Sequence, residues 1–384
     1  MRALKSPGRI RLRKEFVPGL SLLFVVLLQL SGCSFFITKP EVKSTGIIDA
    51  DNPYIQYIGR FDFSNPQRVV FDWAGVYICA KFEGTSCSLR LKDSTDYYDV
   101  VIDDHAPIIL HTDSADSIYR VASGLSDSVS HAIMVQKRTE ALVGAGVFMG
   151  FILDKGKTLL PMPRRPDRRI EFVGNSITSG YGNEADSSDH YFQGSTEDAC
   201  LSFASITGRE LHADYSLISW SGRGVVRNYG DSNRVSRDPM PAFYDRTLAT
   251  DSTLKWNFKN WIPQAVVINL GTNDFSTHPY PDSAVFVNAY GRLIDHVRSL
   301  YPGVTLFCCC GPMIGEPCFE YVKEVVNLQQ EKEGRNKDVF FVNMDSSRIN
   351  ITLKDLGLNE HPNIEGAWKM ARVLVREMNL RMLW

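Results

Sequence analysis

The chain lacks the features that mark several large classes of protein. It has no CxxC pair and no HExxH, and its eight histidines are scattered, so no dedicated zinc site is expected. It has no excess of positive charge: 42 basic and 44 acidic residues leave a net charge of -2, which provides no general attraction to nucleic acid. No internal repeat appears. Its most apolar run, Leu20 to Leu30, is too short to span a bilayer comfortably. What is present is 384 residues at 44% hydrophobic content, which excludes a disordered chain and suffices for a large core, with two domains expected at this length.

The first 32 residues read as a lipoprotein signal peptide. Arg2, Lys5, Arg9, Arg11, Arg13 and Lys14 form a basic leader, the apolar run follows, and it ends in Leu30-Ser31-Gly32-Cys33. That ending resembles a bacterial lipobox, in which small residues admit the chain to the peptidase and the thiol takes the lipid. Cys33 is therefore the expected lipidation site. The expectation is a bacterial lipoprotein, tethered to a membrane and facing the periplasm or the cell surface. Removing residues 1–32 leaves 36 basic and 43 acidic residues, a charge of about -7. The seven later cysteines are an odd number, and Cys308, Cys309 and Cys310 are consecutive in an apolar stretch, so they are expected to be structural core residues.

Residues 33–50 read as a tether. From 51 to 160 the chain consists of short runs of alternating polarity broken by turn residues, as in Val76 to Phe82, Cys87 to Leu91, Tyr97 to Ile102, Ile108 to His111, Val129 to Val135 and Val147 to Leu153. This spacing predicts a β-sandwich of jelly-roll type with no amphipathic helix. A proline-rich break, Leu159 to Pro166, separates it from residues 161–384. The four arginines at 164, 165, 168 and 169 read as a solvated linker. Beyond the break, apolar runs at Ile170–Val173, Tyr215–Ile218, Ala265–Leu270, Thr305–Cys310 and Val339–Val342 alternate with helical patterns, which predicts a five-stranded parallel sheet covered by helices. Ligands in such folds sit beyond the carboxyl ends of the strands, so the loops there are the place to look for chemistry.

The first of these strands runs into Gly174-Asn175-Ser176, which projects a serine hydroxyl into the crevice among glycines that let backbone N–H groups approach an oxyanion. The second ends in Ser219-Trp220-Ser221-Gly222-Arg223-Gly224, and the third in Gly271-Thr272-Asn273-Asp274. His361, just before the terminal helix, supplies an imidazole whose ordinary pKa of roughly 6.5 suits a base near neutral pH. Ser176 and His361 are thus the candidate catalytic pair. The backbone N–H groups of Ser176 and Gly222 and the side chain of Asn273 are the candidate oxyanion donors. Trp220, Phe275 and Tyr181 flank the motifs as candidates for stacking on sugar rings or, equally, for packing in the wall, and Asp274 is a candidate for capping a helix or bracing its loop, with contact to sugar hydroxyls as the other reading. His190, His278 and His296 read as ordinary, although His278 is a rival base.

Together these blocks resemble the SGNH hydrolase superfamily, with Ser176, Gly222, Asn273 and His361 as its four named residues. The longer pattern, a sandwich followed by GNSITSGYG, SWSGRG, GTNDF and HPNIEGAWKMA, resembles carbohydrate esterase family 2. The resemblance implies removal of O-acetyl groups from polysaccharides or oligosaccharides through an acyl-enzyme, with no metal and no cofactor, and the chain is expected to act as a monomer. Two departures stand out. Asn175 occupies the place of an Asp, and Leu358 and Asn359 stand where an acid usually orients the histidine. A Ser-His dyad is expected, its imidazole held by a backbone carbonyl or by the Asn359 amide. Two other readings stay open, a lipase- or thioesterase-like hydrolase and a carbohydrate-binding lipoprotein whose esterase site has lapsed.

Overall fold

The computed structural model describes residues 45–114, 117–186, 189–332 and 338–384. Cys33, the signal peptide and most of the expected tether lie outside the described residues. Lys43–Trp384 form one compact unit. No described helix is long and apolar enough to cross a membrane.

The N-terminal half is two antiparallel sheets packed face to face. One is built around Gly146–Leu153, flanked by Cys87–Lys92 and Ile47–Asp49, with Ile118–Ala122 at its edge and Val69–Phe71 also pairing with the central strand. The other runs from Leu159–Leu160 through Tyr77–Phe82, His131–Lys137 and Tyr97–Ile102 to Ile108–His111, with Gln56–Ile58 added beside Tyr77–Phe82. Alternate residues of each strand point inward, as a period of two requires, so Phe82, Leu89, Leu91, Tyr98, Val100, Phe148 and Phe151 meet between the sheets. The structure corrects the expected tether at its C-terminal end: Ile47–Asp49 pairs with Gly150–Ile152 and belongs to the sandwich.

The C-terminal half is the five-stranded parallel sheet, in the spatial order Ala213–Ser219, Arg168–Gly174, Ala265–Asn269, Thr305–Cys310, Val339–Asn343. These strands are buried on both faces and therefore read as near-continuous apolar runs. The three consecutive cysteines sit wholly inside the fourth of them. Helices Phe203–Glu210, Ser283–Leu300, Cys318–Glu331 and Ile364–Met382 cover the sheet.

The two halves share a polar seam. Asp72 accepts the N–H groups of Ala249 (2.8 Å) and Thr250 (2.9 Å), and Trp73 donates its indole N–H to the Thr247 carbonyl. Arg60 reaches Glu171 on the first strand of the parallel sheet at 3.2 Å, with both side chains about 1% exposed. Buried charges of this kind are costly unless paired, so removing one partner would uncouple the halves. The break itself is only partly a solvated linker: Arg164 is exposed, but Arg165 bonds Asp214 at 2.8 Å and Arg168 donates to the Leu211 carbonyl at 2.9 Å.

Candidate active site

Ser176 sits at the first position of the short helix Ser176–Ser179, immediately after the strand Arg168–Gly174. Asn175 is the cap: its side-chain oxygen accepts the Ile177 N–H at 3.2 Å, a task an amide performs as an Asp would. Ser176 is 8% exposed. Its Oγ lies 2.7 Å from Nε2 of His361.

His361 follows the single 3₁₀ turn Leu358–Glu360, in which Asn359 (φ 50°) and Glu360 (φ 63°) are both left-handed. Side chains pay for this conformation with roughly 1–2 kcal/mol per residue, and Asn tolerates it best. The turn brings the Leu358 carbonyl 3.0 Å from Nδ1 of His361, and Asn359 adds a second backbone acceptor. Nδ1 therefore carries the proton and Nε2 is free to accept one from Ser176. Desolvation pulls the imidazole down to about 4, outweighing the opposite pull of the two carbonyls, so the ring is neutral over the whole physiological range.

Neither nearby carboxylate reaches the ring. Asp355 bonds the N–H and hydroxyl of Thr352 and the Lys369 ammonium, each at 2.7 Å; against the opposing effect of desolvation, these bonds hold its carboxyl at about 2. Glu360 is exposed, its side chain sent outward by its left-handed backbone rather than by an extended one.

Gly222 (φ 77°) and Asn273 complete the constellation, and with Ser176 and His361 they line a cleft of about 420 Å³. Its walls include Tyr181, Ser221, Tyr229, Thr272, Ser276 and Asn359, with Met313 and Ile314. The Gly222 turn is tied down on several sides. Asn273 donates from Nδ2 to the Arg223 carbonyl at 2.8 Å, which leaves its second N–H for the cleft. Asp274, wholly buried, accepts the N–H groups of Val225, Val226 and Arg227 at 2.7–2.9 Å. Gly224 lies so close to this brace that a Cβ would stand 2.4 Å from the carboxylate.

Three candidates are corrected away from substrate contact, to the bracing or packing reading that also stood open. Asp274 is a loop brace, as its three hydrogen bonds require, and has no surface left for sugar hydroxyls. Phe275 (2% exposed) packs on Tyr280, Phe286 and Tyr321. Trp220 (8%) packs on Phe243 and lies under the Arg223 guanidinium. Residues next to a motif at a strand end face the core as often as the crevice, and these two face the core. Tyr181 does line the cleft, stacked on Phe192 at 4.6 Å and tilted against the His361 ring at 4.7 Å. Tyr229, 70% exposed at the rim, went unnoticed because no motif frames it. Of the other histidines, His278 stacks on Tyr280 and His296 pairs with Asp245.

One group of metal-type ligands exists among the described residues: Asp99, Asp198 and Cys200, all buried. The Arg138 guanidinium already supplies its cation, at 2.9 Å from Asp99 and 3.3 Å from Asp198, and burial keeps the Cys200 thiol well above its usual range. It reads as an ion-pair cluster.

Residues 172–369 match the GDSL-like lipase/acylhydrolase family, and residues 57–163 match the carbohydrate esterase 2 N-terminal family. Cellulase/esterase CelE of Acetivibrio thermocellus is 38% identical over 345 residues, which are 88% of this chain and 40% of that protein. An acetylxylan esterase/glucomannan deacetylase of Cellvibrio japonicus is 34% identical over 221 residues, 56% of this chain and 58% of its own length. The chain thus spans about half the length of these curated relatives. A solved family two carbohydrate esterase from Clostridium thermocellum, in complex with cellohexaose, superimposes with a TM-score of 0.78 at 36% identity, covering 86% of this chain and 99% of that one. The parallel sheet with a serine and a histidine at its carboxyl edge is that of a GDSL-like acylhydrolase. With the sandwich before it, the chain belongs to carbohydrate esterase family 2.

Proposed function

We propose that the protein is a carbohydrate O-acetyl esterase that works through a Ser-His dyad. The observation that carries this reading is the 2.7 Å contact between Ser176 Oγ and His361 Nε2, with Nδ1 anchored on a backbone carbonyl and Gly222 and Asn273 on the same cleft. Ser176 attacks the acetyl carbonyl as His361 takes its proton. The N–H groups of Ser176 and Gly222 and the Asn273 amide receive the negative charge that develops on the carbonyl oxygen. His361 then protonates the departing sugar hydroxyl, and in the second half it activates water against the acetyl-serine.

A glycan substrate is supported by the hydroxyl, amide and phenol groups around the cleft and by the cellohexaose complex of the related esterase. Acetylated polysaccharides or oligosaccharides are the proposed substrates. Turnover of p-nitrophenyl acetate and of acetylated glucomannan or xylan by the purified protein, compared with p-nitrophenyl octanoate, tests the reading. Acetyl release that Ser176→Ala abolishes is expected. A preference for octanoyl esters would favour a lipase-like enzyme, and binding of glycan without turnover would favour a lapsed site.

The lipobox supports attachment to a membrane through Cys33. Cys33→Ala should release the protein from membranes or leave its precursor unprocessed; unchanged fractionation and processing would remove that assignment.

A further inference from the structure

The sandwich sends one carboxyl side chain into the catalytic loop. Glu140, wholly buried, accepts the Ser221 N–H through Oε2 at 2.7 Å. Ser221 precedes Gly222, and its carbonyl carbon carries the Gly222 N–H. The backbone torsions of Ser221 therefore aim that N–H. Downstream, Asn273 and Asp274 fix the loop at Arg223 and at Val225 to Arg227. At Ser221 the tie is Glu140.

Glu140 is itself held rigidly. Its backbone N–H donates to Glu197 Oε2 at 3.0 Å, and the Glu140 and Glu197 side chains are both wholly buried and close enough to influence each other's charge. Two such carboxyls cannot both ionise: burial raises both, and Glu140's charge raises Glu197 further. It is the Oε2 atom of Glu140 that faces the Ser221 N–H. The segment carrying Glu140 is clamped to the other half by the Ala199 N–H, which donates to the Arg138 carbonyl at 2.9 Å, and by the Arg138–Asp198 pair. A carboxyl buried this deeply is poor material for a packing role, since an apolar side chain of similar volume would be at least as stabilising.

We propose that Glu140 is a positioning residue of the esterase site, which makes the sandwich part of the catalytic apparatus through the placement of the Gly222 oxyanion donor. The proposal rests on the esterase reading above. A hydrogen bond to a rigidly held carboxyl oxygen keeps the loop in the geometry needed when the oxyanion forms, and an oxyanion donor that is free to swing loses most of its value.

The test compares Glu140→Gln, Glu140→Asp and Glu140→Ala in the full chain, reading kcat, KM, melting temperature and the rate at which a fluorophosphonate labels Ser176. Gln keeps an acceptor at full reach and should stay within about threefold of wild type in kcat. Asp keeps the carboxyl but falls short by one methylene and should lose about tenfold. Ala should lose about 10–100-fold, at or below the loss of one oxyanion donor. KM should stay within about twofold throughout, with phosphonate labelling falling in step with kcat, the signature of an interaction used in the transition state. The inference is overturned if Asp and Ala variants that remain folded keep kcat within twofold, if kcat follows melting temperature rather than reach, or if all three variants fail to fold. A wild type that neither turns over acetyl esters nor reacts with the phosphonate sinks the esterase reading itself; an active wild type with indifferent Glu140 variants sinks only this inference.

Discussion

The two members of the dyad are placed by opposite means. Ser176 is held by regular structure: a fully paired strand, a capping Asn175, and a helical turn whose residues are all buried. His361 is held by an irregular one, a turn with two left-handed residues whose side chains reach solvent, and its ring is fixed by main-chain carbonyls. A nucleophile needs one rigid direction, which a strand end provides. A base needs its second nitrogen protonated, and a carbonyl can enforce that as well as a carboxylate. What a carbonyl lacks is the full charge that stabilises imidazolium, so the base must work from a depressed pKa.

The harshest way to break the comparison is to remove either member. Ser176→Ala and His361→Ala should each lower kcat by about 10⁴-fold or more, and the double variant should be no worse than either, because a nucleophile and its base act as one unit. Steady-state turnover of an acetyl ester checks this; losses that multiply in the double variant would mean the two act separately. Asn273→Ala should cost about 10²–10³ in kcat, the scale of one oxyanion donor. Its loss also frees the Arg223 carbonyl, so a small drop in melting temperature should accompany it.

The same contrast explains what was legible beforehand. Ser176, Gly222, Asn273 and His361 stand at strand ends or before the final helix, positions that periodicity locates, and each has the chemistry its place requires. The sheet itself was plain because strands buried on both faces leave unbroken apolar runs. For Trp220, Phe275 and Asp274 two readings stood open, because adjacency to a motif does not say which way a side chain faces. Glu140 was invisible: it lies 81 residues before Ser221, on the other half of the chain, and only the folded contact joins them. Ile47–Asp49 was lost in the tether because three residues are too few to show an alternation.

A gentler test uses pH. His361 acts only when neutral, so activity is present above its pKa and is lost as pH falls through it. With the imidazole lowered to about 4, kcat/KM should change by less than about twofold between pH 7 and pH 5. An unperturbed histidine with a pKa of roughly 6.5 would lose about 25-fold over that interval. A limb near 6 would mean either that the imidazole is not held down by desolvation or that the limb belongs to Asp274, whose carboxyl burial raises to about 6 against four opposing backbone N–H bonds. Such a limb should move in Asn273→Ala only if the loop, rather than the base, sets it.

The smallest expected effects come from the carboxylates beside the histidine. Asp355 completes a capping box with Thr352 and bonds Lys369, so Asp355→Ala should cost about 1–2 kcal/mol of stability, the upper part of the range for a lost cap. It should leave kcat within a few-fold, because no atom of that carboxylate faces the ring. Glu360→Ala should change neither stability nor kcat appreciably, since its side chain is exposed and Ala meets the same left-handed backbone. Removing the orienting Asp of a serine triad lowers kcat by about 10⁴, so a disguised third member would announce itself on that scale. A loss above roughly 10³ in a folded Asp355→Ala or Glu360→Ala would mean that the Leu358 carbonyl is not what orients the ring, and that the turn closes onto a carboxylate when substrate binds. Activity close to wild type in both would leave the backbone of Leu358 and Asn359 as the whole of the histidine's support.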